Sequence, residues 1–199
     1  MIDFSKVQYT ISAHLASQMP PDDGAEVAFA GRSNVGKSSA INTITNVGGL
    51  AKTSKTPGRT RQINFFDLGN SLRLVDLPGY GYAKVPAKMR DHWRTFLTSY
   101  LSDRQSLAGL ILPMDIRRPL TGLDQTMLEV CWQSDHHVHI LLTKSDKLGR
   151  GKAMAELHAV LGQMAEQPRT TVQLFSSLEK QGVEEARKMI SHLLLNPSI

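Results

Sequence analysis

A chain of 199 residues is long enough for one α/β domain with a hydrophobic core, and its 41% hydrophobic and 21% charged residues exclude the disordered and fibrous classes. The formal charge of +5 favours polyanionic partners, and Cys131, the only cysteine, excludes an intrachain disulfide and a zinc site built on two thiolates. No apolar stretch of signal-peptide length opens the chain, and its most apolar run, Leu107 to Met114, is far shorter than the roughly 20 residues of a membrane-spanning helix, so a cytoplasmic protein without a membrane partner is expected.

Residues 1–23 read as a leader with one weak strand candidate, Val7 to Ile11, ending in the loop chemistry of Pro20-Pro21-Asp22-Asp23-Gly24; residues 24–199 read as the domain proper. Glu26 to Ala30 is a short apolar strand, followed by a glycine-rich turn and a helix from about Ser38 with Ile41 and Ile44 on one face. Val47 to Arg59 has neither helical nor strand period and reads as a mobile loop. Strands Gln62 to Asp67 and Leu72 to Val75 flank Gly69-Asn70, whose turn chemistry suits an antiparallel hairpin. A Gly and Pro rich loop leads into a helix from Pro86 to Leu101. Strand and helix then alternate: Leu107 to Met114, Leu123 to Trp132, Val138 to Leu142, Lys152 to Met164, Thr171 to Phe175 and Val183 to Leu195. That order predicts an α/β fold of three layers, a mostly parallel six-stranded sheet with one antiparallel strand and helices on both faces.

Three motifs fall at the C-terminal ends of these strands, where open α/β sheets bind ligands. Gly31-Arg32-Ser33-Asn34-Val35-Gly36-Lys37-Ser38 matches the phosphate-loop pattern between a strand and a helix. Its backbone N–H groups would converge on a β-phosphate, Lys37 would bridge β and γ phosphates, and Ser38 would ligate Mg²⁺. Asp76-Leu77-Pro78-Gly79 places a carboxylate for Mg²⁺ and a backbone N–H for the γ-phosphate. In Thr143-Lys144-Ser145-Asp146, the carboxylate of Asp146 can accept from N1 and N2 of guanine, which adenine cannot match, while Lys144 would lie over the base plane. Phe175-Ser176-Ser177 occupies the place for backbone contacts to the guanine carbonyl. Thr60 is the candidate second metal ligand, with Thr53 and Thr56 competing for the role. A phosphate-loop ATPase or kinase is the other reading of the first motif, and Asp146 argues against it.

On the runs Gly31 to Ser39, Lys55-Thr-Pro-Gly58-Arg59-Thr60, Asp76-Leu-Pro-Gly-Tyr-Gly-Tyr82 and Thr143 to Asp146, the chain resembles the EngB (YihA/YsxC) family of TRAFAC P-loop GTPases from about Phe4 onward. The resemblance implies a GTP-hydrolysing switch with Mg²⁺ that acts in assembly of the large ribosomal subunit and is connected with division septation. It assigns magnesium to Ser38 and Thr60, with Asp76 nearby, and carries the nucleotide contacts over to residues 31–39, to Gly58, Arg59, Thr60, Arg61 and Gln62, and to the three rim motifs. Lys37, Thr60 and Gly79 are the candidate catalytic residues. Tyr80 stands where Ras-type GTPases place their water-orienting glutamine, so slow hydrolysis stimulated by a partner is expected. Asn34 resembles the residue with which related GTPases bind K⁺, and Thr143 in place of an asparagine implies weaker nucleotide affinity.

Lys52, Lys55, Arg59 and Arg61 surround the first of these switch segments, and Lys84, Lys88, Arg90 and Arg94 follow the second, so an RNA-facing surface on a ribosomal precursor is expected, with the chain acting as a monomer. The competing reading is a nucleotide-gated RNA-binding scaffold with little turnover. Trp93 and Tyr100 are expected in the core, and Cys131 in packing rather than chemistry. His136, His137 and His139 are read as polar residues at a strand entrance, not as metal ligands.

Overall fold

The computed structural model describes residues 2–52, 62–80 and 97–197. Their strands are β1 (Gln8–Ala13), β2 (Ala25–Phe29), β3 (Ile63–Gly69), β4 (Leu72–Asp76), β5 (Leu107–Asp115), β6 (Val138–Thr143) and β7 (Thr170–Leu174). The helices are α1 (Lys37–Thr45), α2 (described over 97–103), α3 (Gly122–Gln133), α4 (Arg150–Gln163) and α5 (Val183–Leu195). Of the expected helix from Pro86 to Leu101, the residues before Leu97 lie outside the described ones, as does Trp93.

The strands form one sheet in the order β1-β3-β4-β2-β5-β6-β7, and β3 is antiparallel to both of its neighbours. The expected three-layer α/β architecture with a single reversed strand is therefore present, but the sheet has seven strands instead of six. The extra one is the weak candidate of the leader, which pairs with β3 from Gln8↔Asp67 to Ala13↔Ile63. In the hairpin between β3 and β4, Asn70 and Ser71 both adopt positive φ, as a primed two-residue turn requires.

Alternation along the buried strands separates two cores. Ala28, Leu110, Leu112, Met114, Ile140 and Leu142 face α2, α3 and α4, whereas Val27, Phe29, Ile111 and Leu141 face α1 and α5. Apolar residues at helical spacing complete each side, as with Val183, Ala186, Ile190, Leu193 and Leu194 of α5. A register shift where Glu26 pairs with Leu107 but Val27 with Gly109 puts one extra residue into β5 and resets which side chains face which layer. Tyr100 is 2% exposed and so lies in the core as expected.

This topology fixes where a ligand can sit. From β2 the chain passes to β3 and β4 on one side, then crosses to β5 on the other, so strand order reverses at the C-terminal end of β2. Such a reversal opens a crevice beyond the strand ends. Parallel register sets Asp76 beside Phe29, and Asp115 beside Thr143, along that one rim.

Candidate nucleotide site

The loop after β2 begins at Gly31 and ends at Gly36, whose φ of 102° is a conformation that side-chain-bearing residues rarely adopt. Gly36 caps α1, so Lys37, Ser38 and Ser39 form its first turn and their N–H groups point back into the loop. Val35 is buried, while the Asn34 side chain is exposed. Lys37 Nζ forms an ion pair with Asp76 Oδ1, both side chains being nearly enclosed. Leu77 is fully buried, and its N–H donates to the Phe29 carbonyl at 3.0 Å, so it anchors the segment by packing. Pro78 and Gly79 follow. Gly79 lies so close to the phosphate loop that an added Cβ would be 3.2 Å from Ser33 Oγ and 3.5 Å from the Gly31 carbonyl.

The motif Thr143 to Asp146 is bonded directly to that loop. Thr143 Oγ1 is 2.6 Å from the Val35 carbonyl and 3.0 Å from the Met114 carbonyl, so its one proton ties β6 to both the loop and β5. Lys144 Nζ donates to the Asn34 carbonyl at 2.8 Å and pairs with Asp115 Oδ2 at 3.0 Å. Asp115 is held well below the usual carboxylate range by the Arg117 guanidinium first, against the opposing effect of burial, with Lys144 adding to the lowering. Ser145 N–H donates to the Phe175 carbonyl at 3.2 Å, and Ser176 Oγ donates to Asp146 Oδ1 at 2.7 Å. The Ser176 hydroxyl is also the main cause that lowers the Asp146 carboxyl, while Lys147 pairs with Oδ2 at 3.1 Å. Phe175 and Ser176 are buried, and Ser177 is half-buried beside them.

Residues 31–39, 76–79, 143–146 and 175–177 thus converge on one rim through a continuous set of contacts. Gln62 reaches the same end of the sheet, but its side chain meets His14 Nε2 at 2.5 Å, at the end of β1. Gly58, Arg59, Thr60 and Arg61 lie outside the described residues, as do Thr53, Thr56, Lys55, Lys84, Lys88, Arg90 and Arg94. The groove bounded by His137, Pro168, Arg169, Met189 and His192 lies at the opposite ends of β6 and β7 and shares no residue with the rim.

The family model described as 50S ribosome-binding GTPase matches residues 26–144, more than half of the chain. The probable GTP-binding protein EngB of Methylobacillus flagellatus is 54% identical over 195 residues, covering 98% of this chain and 94% of the relative. The protein of the same description from Methylococcus capsulatus is 53% identical, covering 94% and 90%. The chain belongs to the EngB family of GTP-binding proteins. It is therefore a GTPase, and of the motifs that carry the family resemblance Gly31 to Ser39, Asp76 to Tyr80 and Thr143 to Asp146 lie within the described residues and meet at the rim. Among solved structures, a probable GTP-binding protein engB superposes with a TM-score of 0.69 at 20% identity over 86% of this chain and all of that one. Aquifex aeolicus Era bound to GDP·AlF4⁻ gives 0.66 at 19% identity, over 83% of this chain and 55% of that one. Both likenesses concern the fold.

Sequence reasoning missed Asp115, Asp124 and Gln181. Gln181 accepts from Ser145 Oγ at 2.7 Å, and its carbonyl accepts from Ser176 N–H at 3.1 Å, so it joins the two base-side loops. Asp124 carried a local signal: Thr121 and Asp124 have the spacing of a capping box, and they form one at the start of α3. The Tyr80 hydroxyl donates to Asp124 at 3.0 Å, pointing into α3. No helix among the described residues is long and apolar enough to cross a membrane.

Proposed function

We propose that the chain is a slow GTPase switch that acts in assembly of the large ribosomal subunit and, as the family resemblance implies, is linked to normal division septation. The bonds Thr143 to Val35, Lys144 to Asn34 and Ser176 to Asp146 carry the nucleotide part of this reading, because they join base-side and phosphate-side loops into one continuous cleft. The ribosomal part rests on the matching family, described as ribosome-binding. Residues 31–39 cradle the phosphates, Lys37 leaves Asp76 to bridge β and γ oxygens, and Gly79 N–H meets the γ-phosphate. Asp146 accepts from guanine, Lys144 covers its face, and the backbone of Ser176 and Ser177 faces its carbonyl.

Ser38, Asp76 and Thr60 are the residues that would hold Mg²⁺. They fit a hard cation, being oxygen donors, and the Asp76 carboxylate already has a cationic partner in Lys37. When bound, Mg²⁺ neutralises charge on the β and γ oxygens. Asn34, which is exposed, would take K⁺ beside the same phosphates, a role supported by its resemblance to the K⁺-binding residue of related GTPases. Slow turnover follows from Tyr80, whose hydroxyl is committed to Asp124 and so does not orient water. Thr143 supplies one hydroxyl where an amide would supply more partners, so micromolar rather than picomolar GDP binding is expected.

Nucleotide competition on the parent and on Asp146→Asn tests the base assignment. Preference should move from guanine toward xanthine, and an unchanged preference would remove Asp146 from the site. Single-turnover hydrolysis with purified large-subunit precursors, in K⁺ and in Na⁺, tests the rest. Acceleration by the particles and by K⁺ is expected. Equal rates in all arms would favour the nucleotide-gated RNA-binding scaffold with little turnover.

A further inference from the structure

The Asp124 carboxylate is fully buried at the rim and receives more donors than helix capping needs. Thr121 supplies its N–H at 3.0 Å and its hydroxyl at 2.8 Å, which caps α3. Arg32 Nε, from the phosphate loop, lies 3.1 Å from each carboxylate oxygen, and the Tyr80 hydroxyl donates to Oδ1 at 3.0 Å. Arg32 Nη2 also donates to the Arg118 carbonyl at 3.1 Å. Between these side-chain anchors the two backbones are stitched together: Tyr80 N–H donates to the Gly31 carbonyl at 3.2 Å, and Ser33 N–H to the Tyr80 carbonyl at 3.3 Å. Gly79 is the residue enclosed by this clamp, against Ser33.

We propose that Asp124 is a positioning residue for GTP hydrolysis, which, through Arg32 and Tyr80, holds the Gly79 N–H against the phosphate loop at the place of the γ-phosphate. Asp124 touches no nucleotide. It is bonded to Arg32 of the phosphate loop and to Tyr80 of the segment that carries Gly79, so it ties the two segments to each other. The tyrosine that stands where Ras-type GTPases have glutamine therefore has a task of its own: its ring spans from the rim to α3, and its hydroxyl, half-buried and kept neutral by burial and by the Asp124 carboxylate, locks this segment to a helix. Since only GTP presents a γ-phosphate, loosening this clamp costs GTP binding and turnover while GDP binding stays.

The inference rests on the reading of Gly79 as the γ-phosphate contact, and the two can fail separately. The measurements are GTP and GDP affinities, single-turnover rate and thermal midpoint, for Tyr80→Phe, Asp124→Asn and Gly79→Ala. Loss of one half-buried hydrogen bond should lower the GTP-to-GDP affinity ratio by about 3- to 10-fold in Tyr80→Phe, with GDP affinity within about 2-fold of the parent. The rate should fall by a similar factor. Tyr80→Phe keeps the ring and the capping of α3, so it remains informative where Asp124→Asn fails to fold. When both fold, the double variant should lose less than the product of the single losses, because the two side chains act through one contact. An unchanged ratio and rate in Tyr80→Phe, or equal losses of GTP and GDP, would overturn the positioning role and leave Asp124 a structural cap. An unchanged ratio in Gly79→Ala would instead remove the γ-phosphate reading itself.

Discussion

Two fully buried carboxylates lie at opposite ends of the sheet, each gripped by arginine and tyrosine. Glu26, at the start of β2, accepts from Arg104 Nη2 at 2.6 Å, Arg104 Nε at 3.1 Å, Tyr100 hydroxyl at 2.9 Å and Arg73 Nη1 at 3.3 Å. Arg104 continues to the carbonyls of Pro20 and Pro21 at 3.0 and 3.1 Å. Asp124 has similar partners, but they come from loops that face the cleft. The chemistry is alike and the settings differ: Glu26 binds β2, β4, α2 and the leader into one end, whereas Asp124 holds together the two segments proposed to contact phosphate. On the proposed reading, a buried ion pair serves stability at one end of the strands and nucleotide discrimination at the other.

The contrast breaks most sharply at Glu26. Glu26→Ala leaves the nearly enclosed Arg104 and Arg73 guanidinium groups short of their counter-charge, and thermal or urea unfolding should show a loss of about 3–5 kcal/mol. The folded fraction should keep the parent's GTP-to-GDP preference. A changed preference with unchanged stability would reverse the assignment of the two ends. Tyr100→Phe removes one buried donor from the same carboxylate and should cost about 2 kcal/mol by the same unfolding measurement, again without effect on nucleotide discrimination. Tyr80→Phe, its counterpart at the rim, also removes a donor from a buried carboxylate and should cost about 1 kcal/mol, but unlike Tyr100→Phe it should alter discrimination.

A smaller effect sharpens the comparison under the base-side loops. Burial first of all depresses the pKa of His139 below its ordinary value near 6.5, against the hydrogen bond to Gln173. Its Nε2 lies 2.7 Å from Gln173 Oε1 and its Nδ1 2.7 Å from Thr171 Oγ1. The Gln173 amide nitrogen donates to the Leu174 and Gly182 carbonyls, so Oε1 must accept, and the neutral imidazole carries its proton on Nε2. With the folded value depressed, the contribution is present above about pH 6.5 and is lost as pH falls through the unfolded value toward the folded one. Unfolding free energy should decline between about pH 7 and about pH 5, and His139→Gln should flatten that decline. An identical slope in the variant would assign it to the other histidines, of which His137 is shifted in the same direction by burial and by Arg169.

Much of the fold was legible because its signals are local. The phosphate loop, Asp76 to Gly79 and Thr143 to Asp146 each combine a short motif with a strand end, and the helices of the second half carry apolar periods. β1 was faint because a single buried residue, Ala13, closes a strand whose other side chains face water or lie half-buried; Tyr9 and Ile11 give it no alternation to read. The carboxylate anchors were illegible for another reason. Arg32 and Asp124 are 92 residues apart, and Glu26 and Arg104 are 78 apart, so each reads as ordinary surface charge until the sheet brings it to its partner. Local sequence names the ligand-facing loops; the supports behind them appear only with the topology.

Cys131 lies on α3, the helix that Asp124 opens, and it is fully buried. Burial pushes its thiol up to about 12, so almost no thiolate forms at neutral pH and Cys131 should react only slowly with thiol-specific reagents while the chain is folded. Modification must await departure of α3 from the sheet. The chain consequently carries its own single-site chemical clock, whose rate registers how often the helix behind the phosphate loop comes away.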